Sequence, residues 1–304
     1  MRVSLLVVAL LAASPAQAVE GARYRVTFDA VWSAATHPTD FPDDPHFSPP
    51  VGATHGAQSS FWEPGQLASP GIKNMAERGQ TVPLTGEMAS GGAESVFTMQ
   101  GFDSPGSRSR EFTIYDDNPL VTLVSMIAPS PDWFVGISGV PLHTGTDWVD
   151  PLVIQLIPWD AGTDSGTTFM SPNQATMPPQ PIAAITGFPF QGAPPLGTFT
   201  FELVRVLADC ENALDDDGDG LVDEDDPGCD DPSDPSEKTP TLICDDGIDN
   251  DGDGATDYPA DDGCVDLFDG TEGDPASVPA LSFGAAVALA ALLLASGARR
   301  SRRA

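Results

Sequence analysis

Residues 209–274 decide most of what this chain can be. They hold 26 of its 45 acidic residues, a single basic one (Lys238) and all four cysteines. Apolar side chains are too sparse there for burial to offset the entropy of ordering the backbone. Any fold in this stretch needs crosslinks, cations or both. One pattern occurs in it twice. The first copy reads CENALDDDGDGLVDEDDPGC (210–229) and the second CDDGIDNDGDGATDYPADDGC (244–264). Each runs from Cys through Asp-x-Asp-x-Asp-Gly, then an Asp three residues after the Gly, to a second Cys.

The spacing is the ligand order of an EF-hand loop, with side chains at positions 1, 3, 5 and 9 and Gly at 6 for the sharp turn. The candidate ligands are Asp215, Asp217, Asp219 and Asp223 in the first copy, and Asp249, Asp251, Asp253 and Asp257 in the second. Position 12 breaks the pattern: Asp226 stands there in the first copy, and Ala260 in the second with Asp261 and Asp262 behind it. Paired amphipathic helices are missing too, so these are not EF-hands. The copies resemble Asp-rich calcium repeats of the thrombospondin type 3 kind, which fold around ions and disulfides. Cys210–Cys229 and Cys244–Cys264 is the simplest of three possible pairings, and spacing does not decide among them. DDPSDPSEKTPTL (230–242) reads as a stiff Pro-rich spacer, and DLFDGTEGDPAS (266–277) as a link to the C-terminal tail.

Both ends carry export signals. MRVSLLVVALLAASPAQA (1–18) has the basic start, apolar core and A-x-A site of a signal peptide. VPALSFGAAVALAALLLASGA (278–298) is uncharged, long enough to span a bilayer as a helix, and followed by Arg299, Arg300, Arg302 and Arg303. Residues 275–304 therefore read as a C-terminal membrane anchor, or as a tail removed by a sorting protease, with the rest outside the cell. That compartment permits disulfides. A net charge of −32 excludes nucleic acid as a partner, because phosphate contacts need Lys and Arg, and favours cations.

Residues 19–208 have ordinary apolar content and alternate as strands. RYRVTFDAVW, SVFTMQGF, REFTIYD, LVTLVSMI, WFVGIS, PLVIQLI and GTFTFELVRVL are punctuated by Pro and Gly. Only SPGIKNMAERG (69–79) reads as a helix, with Ser69 as N-cap, Pro70 at N1 and Gly79 as the stop. The expected fold is a mainly β, two-sheet antiparallel sandwich. It is followed by the small irregular repeat module and one transmembrane helix.

YRVTFDAVWSAATHPTDFP, FWEPGQLASPGIKNMAERG, APSPDWFVGISGVPL and WVDPLVIQLIPWDAGTDSGTTFMSPN, in that order, resemble the spondin N-terminal domain family over residues 22–207. The resemblance implies a C2-like sandwich that binds calcium in extracellular matrix and adhesion proteins. It places a divalent ion among Asp132 of PSPDW and Asp160 and Asp164 of DAGTDSG. The electrostatics agree: two carboxylates ~4 Å apart repel by about 4 kcal/mol at an effective dielectric near 20, and Ca²⁺ reverses that sign. Hard oxygen ligands without thiolate favour calcium over softer metals. Three carboxylates supply too few oxygens for it, so carbonyls and water complete the shell. Relatives carry cysteines near this loop, whereas SGVPLHTGTDW has none. Zinc at His37, His46 and His55 is disfavoured, because the first and third lie in family-matching stretches where a packing role fits.

The expected function is calcium-dependent adhesion, the first domain as a head and the repeats as a calcium-stiffened stalk, with a surface or matrix protein or glycan as partner. One alternative is a calcium-bridged carbohydrate or lipid binder, which Trp62 or Trp133 exposed beside the ion would favour. Another is a metal-dependent hydrolase. No nucleophile–base pair, G-x-S-x-G or H-E-x-x-H supports that one, and the chain is read as not an enzyme.

Overall fold

The structure, a computed structural model, describes residues 19–273. The signal peptide and the apolar segment 278–298 lie outside the described residues. Within them no helix is long and apolar enough to cross a membrane. The chain divides into two compact units at Leu207/Ala208.

The first unit is built from β1 (Gly21–Ala30), β2 (His46–Phe47), β3 (Val51–His55), α1 (Pro70–Arg78), α2 (Val82–Ser90), β4 (Ala93–Thr98), β5 (Phe102–Asp103), β6 (Gly106–Tyr115), β7 (Leu120–Ala128), β8 (Trp133–Pro141), β9 (Leu152–Leu156), β10 (Trp159–Asp160), β11 (Ala183–Ala184) and β12 (Gly197–Val206). A four-stranded sheet runs β6-β1-β12-β9. A larger one runs β11-β10-β8-β7-β2-β5, with β3 joining β7 to β4. Every strand pairing is antiparallel.

Alternation sets the inner face of the smaller sheet. Tyr24, Val26 and Phe28 of β1 are fully buried, and Val26 pairs with Phe201 and Phe28 with Phe199 on β12. Across the sandwich these rings meet Phe47, Phe102, Val121, Leu123 and Ile127 in one core. β7 differs: it is buried along nearly its whole length. Its second face (Val124, Met126) packs under Ile72 and Met75 of α1 and Leu84 and Met88 of α2. The expected two layers thus carry a third, a helical pair over the outside of the larger sheet.

α1 forms as its capping signals predict. Ser69 Oγ accepts from Ile72 N at 3.1 Å, and Gly79 closes the helix at φ 63°. α2 was not expected, since Thr, Val and Gly are poor helix formers. Tertiary contacts hold it: Leu84 and Met88, four apart, are buried, and Glu87 accepts from Ser69 Oγ at 2.5 Å and from Gly71 N at 2.7 Å at the start of α1.

In the second unit, disulfides join Cys210 to Cys229 and Cys244 to Cys264. The segments after each second cysteine fold back onto their own loop, which corrects their reading as spacer and link. A Cβ on Gly228 would lie 1.4 Å from Glu237 O, and one on Gly263 would lie 1.6 Å from Glu272 O. Only glycine admits so close an approach. Each copy is therefore a unit of about 35 residues that continues past its second cysteine.

Candidate metal centres

The first centre follows from strand pairing. β10 pairs with β8 so that Asp160 lies opposite Trp133, beside Asp132. The turn after β10 then carries the chain back through Asp164. Gly162 permits it, at φ 74° with the carbonyl of Gln180 only 2.0 Å from where a Cβ would stand. Asp132 is completely buried. Its Oδ2 accepts from Thr163 N (2.7 Å), Thr163 Oγ1 (3.2 Å) and Asp164 N (3.0 Å). Its Oδ1 is buried and has no hydrogen-bond partner. Burial, and then the charge of Asp160, raise the Asp132 carboxyl from 3.8 to about 6, against the opposing pull of the Thr163 and Asp164 hydrogen bonds. Burial raises Asp160 as well, Gly162 N opposing and the charge of Asp164 adding to the rise. Asp164 is 5% exposed and accepts from Gly166 N and Gln174 N.

So many acceptors, one orphaned, and so few donors make a pocket that favours positive charge. An open depression of about 490 Å³, lined by Asp160, Gly162, Asp164, Thr176 and Gln180 among others, reaches it from the surface. Trp62 and Trp133 stand apart from that opening: both are buried, Trp62 against Phe134 and Trp159, Trp133 against Phe169 and Phe190. His37 and His55 bind Pro194 O and Thr122 Oγ1 as packed core residues.

In the second unit the structure brings together Asp215, Asp217 and Asp219, and likewise Asp249, Asp251 and Asp253. Each trio offers three oxygens within 4.8 Å of one another. The Asp132 trio is more open and does not form such a group among the described residues. In each loop the first Asp accepts from two glycine N–H groups: Asp215 from Gly218 and Gly220, Asp249 from Gly252 and Gly254. The third and fifth positions accept through one oxygen from the residue two further on, and in the first loop the second oxygens of Asp217 and Asp219 are buried without a hydrogen-bond partner. Asp223 and Asp257 do not converge with these trios. Asp223 accepts from Ala213 N, and Asp257 from Asp246 N, Gly247 N and Lys238 Nζ.

A third group joins Asp217 to two residues not anticipated as ligands, Asp226 and Glu237. Burial raises Asp226 and Glu237 above the usual carboxylate range; the charge of Asp219 adds to the rise at Asp226 and that of Asp216 at Glu237. Glu237 and its counterpart Glu272 each bridge two backbone N–H groups of their own loop. A signal for them lay in the repeat itself. DPSDPSE (231–237) and DLFDGTE (266–272) share Asp-x-x-Asp-x-Ser/Thr-Glu at the same distance from the second cysteine.

The spondin N-terminal family (Spondin_N) matches residues 22–195. Spondin-2 of Rattus norvegicus is 35% identical over 208 residues, covering 60% of this chain and 62% of its own length. Spondin-1 of Gallus gallus is 38% identical over 184 residues, covering 57% of this chain and 23% of its own. Spondin-1 of Homo sapiens is 36% identical over 202 residues, covering 62% and 25%. The chain thus spans about a quarter of these spondin-1 relatives.

Proposed function

The chain belongs to the spondin N-terminal domain family, and from that premise we propose that it is an exported calcium-binding adhesion protein of the cell surface or matrix. Its first unit, a C2-like sandwich by family resemblance, binds calcium at Asp132, Asp160 and Asp164. Its second unit binds calcium in the Asp215–Asp219 and Asp249–Asp253 loops. The observation that carries this reading is the orphaned Oδ1 of Asp132. A fully buried carboxylate oxygen without a donor, with the charge of Asp160 close enough to raise its proton affinity, is stabilised when a cation stands beside it.

The partner is a surface or matrix protein or glycan, and the membrane contact is the apolar segment 278–298. The disulfides fit the export reading. The open depression beside Asp160 and Asp164 gives some support to calcium as a bridge to a carbohydrate or lipid oxygen, although no exposed tryptophan flanks it. Hydrolase chemistry has less support. The hydroxyl of Thr163 is held by Asp132, and Ser165 and Thr176 hydrogen-bond each other.

Calorimetric titration of the full chain with calcium tests the proposal. Saturable binding at several sites, with one lost in Asp160→Ala, is expected. Absence of heat and of any melting shift up to millimolar calcium overturns it.

A further inference from the structure

The carboxylates of Asp217, Asp226, Glu237 and Asp245 lie where the two copies of the second unit meet. One oxygen each from Asp217, Asp226 and Glu237 lies within 4.8 Å of the others. Oxygens on opposite sides of a calcium ion, at about 2.3–2.6 Å each, stand about 4.6–5.2 Å apart. Asp226 is 3% exposed: its Oδ1 accepts from Gly228 N at 2.6 Å, and its Oδ2 is buried without a partner. Asp217 Oδ2 is also buried without a hydrogen bond, the Lys238 ammonium standing 3.8 Å away. Glu237 is 1% exposed and keeps one free lone pair on each oxygen after binding Asp216 N and Asp223 N. Asp245, 2% exposed, comes from the second copy and lies beside Asp217 and Asp226, outside the group of three, with its Oδ2 accepting from Thr239 N at 3.1 Å.

We propose that these four carboxylates form a further divalent-cation site, distinct from the Asp215–Asp219 loop and shared between the two copies. Asp217 serves both ions of the first copy, and Asp245 ties the second copy to the first. Lys238 supports the same junction with a covalently held charge, pairing with Asp257 of the second copy at 2.8 Å. One ammonium does not balance four carboxylates at that depth. The second copy repeats three of the ligand types, as Asp251, Asp261 and Glu272, and Asp261 likewise keeps an orphaned Oδ2. Asp251 is exposed, however, and that trio does not converge. The positions corresponding to Asp245 are Pro279 and Ala280. The site is thus complete only where one copy follows another. It extends the calcium reading of the loops and rests on it for the choice of ion.

Equilibrium dialysis of the full chain against radioactive calcium tests it. Asp226→Asn and Asp245→Asn each lose one bound ion, or weaken it at least tenfold, and the double variant loses no more than either alone. The amide oxygen introduced by Asp226→Asn still accepts from Gly228 N, so the first loop and its own ion persist. Asp249→Asn, in the other loop, removes a different ion additively. If the wild type binds calcium and Asp249→Asn lowers the count, but Asp226→Asn and Asp245→Asn bind as the wild type does, this inference alone is overturned. Loss at Asp226→Asn without loss at Asp245→Asn overturns the sharing between copies. A wild type that binds no calcium overturns this inference together with the loop reading.

Discussion

Replacing Asp132 with Asn reverses the order of stability between calcium and EDTA. Asn has the shape of the protonated carboxyl. Its carbonyl accepts from Thr163 N and Asp164 N as Oδ2 does, while the charge is gone. In the ion-free protein the Asp132 carboxyl sits at about 6 against 3.8 in the free residue. At 1.36 kcal/mol per tenfold in proton affinity, ionising it at pH 7 costs the fold about 3 kcal/mol. Asp132→Asn therefore stabilises the first unit in EDTA by up to about 3 kcal/mol. Calcium stabilises the wild type by about 4.1 kcal/mol at one thousand times its dissociation constant, which exceeds the variant's gain, and the variant by almost nothing. Urea unfolding followed by tryptophan fluorescence reads the first unit alone, because all five tryptophans (Trp32, Trp62, Trp133, Trp148, Trp159) lie in it. A gap between wild type and variant that is the same in calcium and in EDTA refutes the reasoning. So does a variant less stable than the wild type in EDTA.

The same linkage sets the pH response. Asp132 and Asp160 are both raised in the fold, so it holds more protons than the unfolded chain between about pH 4 and 6. In EDTA the first unit gains stability as pH falls from 7 toward 4, whereas in saturating calcium these carboxylates stay ionised and that gain disappears; urea midpoints at each pH check both. Gly162→Ala places a Cβ 2.0 Å from Gln180 O at a φ of 74°, and lowers first-unit stability by more than about 3 kcal/mol in the same urea assay. Gly228→Ala displaces Glu237 from its loop and makes the first copy sensitive to proteolysis in calcium, while the first unit melts unchanged. Ser69→Ala removes the α1 cap and costs about 1 kcal/mol.

Alternation in β1, β12 and the end of β6 made the sandwich legible, because half-buried strands write their inner face every second residue. The α1 boundaries were legible from Ser69, Pro70 and Gly79 for an equally local reason. α2 was not, because its stability comes from Glu87 reaching α1 and from Leu84 and Met88 meeting β7, contacts that no local pattern encodes. β3, fully buried through Val-Gly-Ala-Thr-His, does not alternate and so gave no strand signal. Among the candidate ligands, the Asp-x-Asp-x-Asp-Gly spacing was visible as a loop. Glu237 and Glu272 were not, because they return from beyond the second cysteine, where Pro and Ser suggested a spacer. The glycines that let them approach, Gly228 and Gly263, carry no meaning until the returning backbone is seen.

Long-wavelength anomalous diffraction from crystals of the full chain grown in calcium tests the central claim most directly, because it locates the ions themselves. The account predicts peaks among Asp132, Asp160 and Asp164 and inside both Asp-x-Asp-x-Asp-Gly loops, each within about 2.3–2.6 Å of carboxylate oxygens. Well-ordered carboxylates at those places, bridged by water and without anomalous signal, would contradict it.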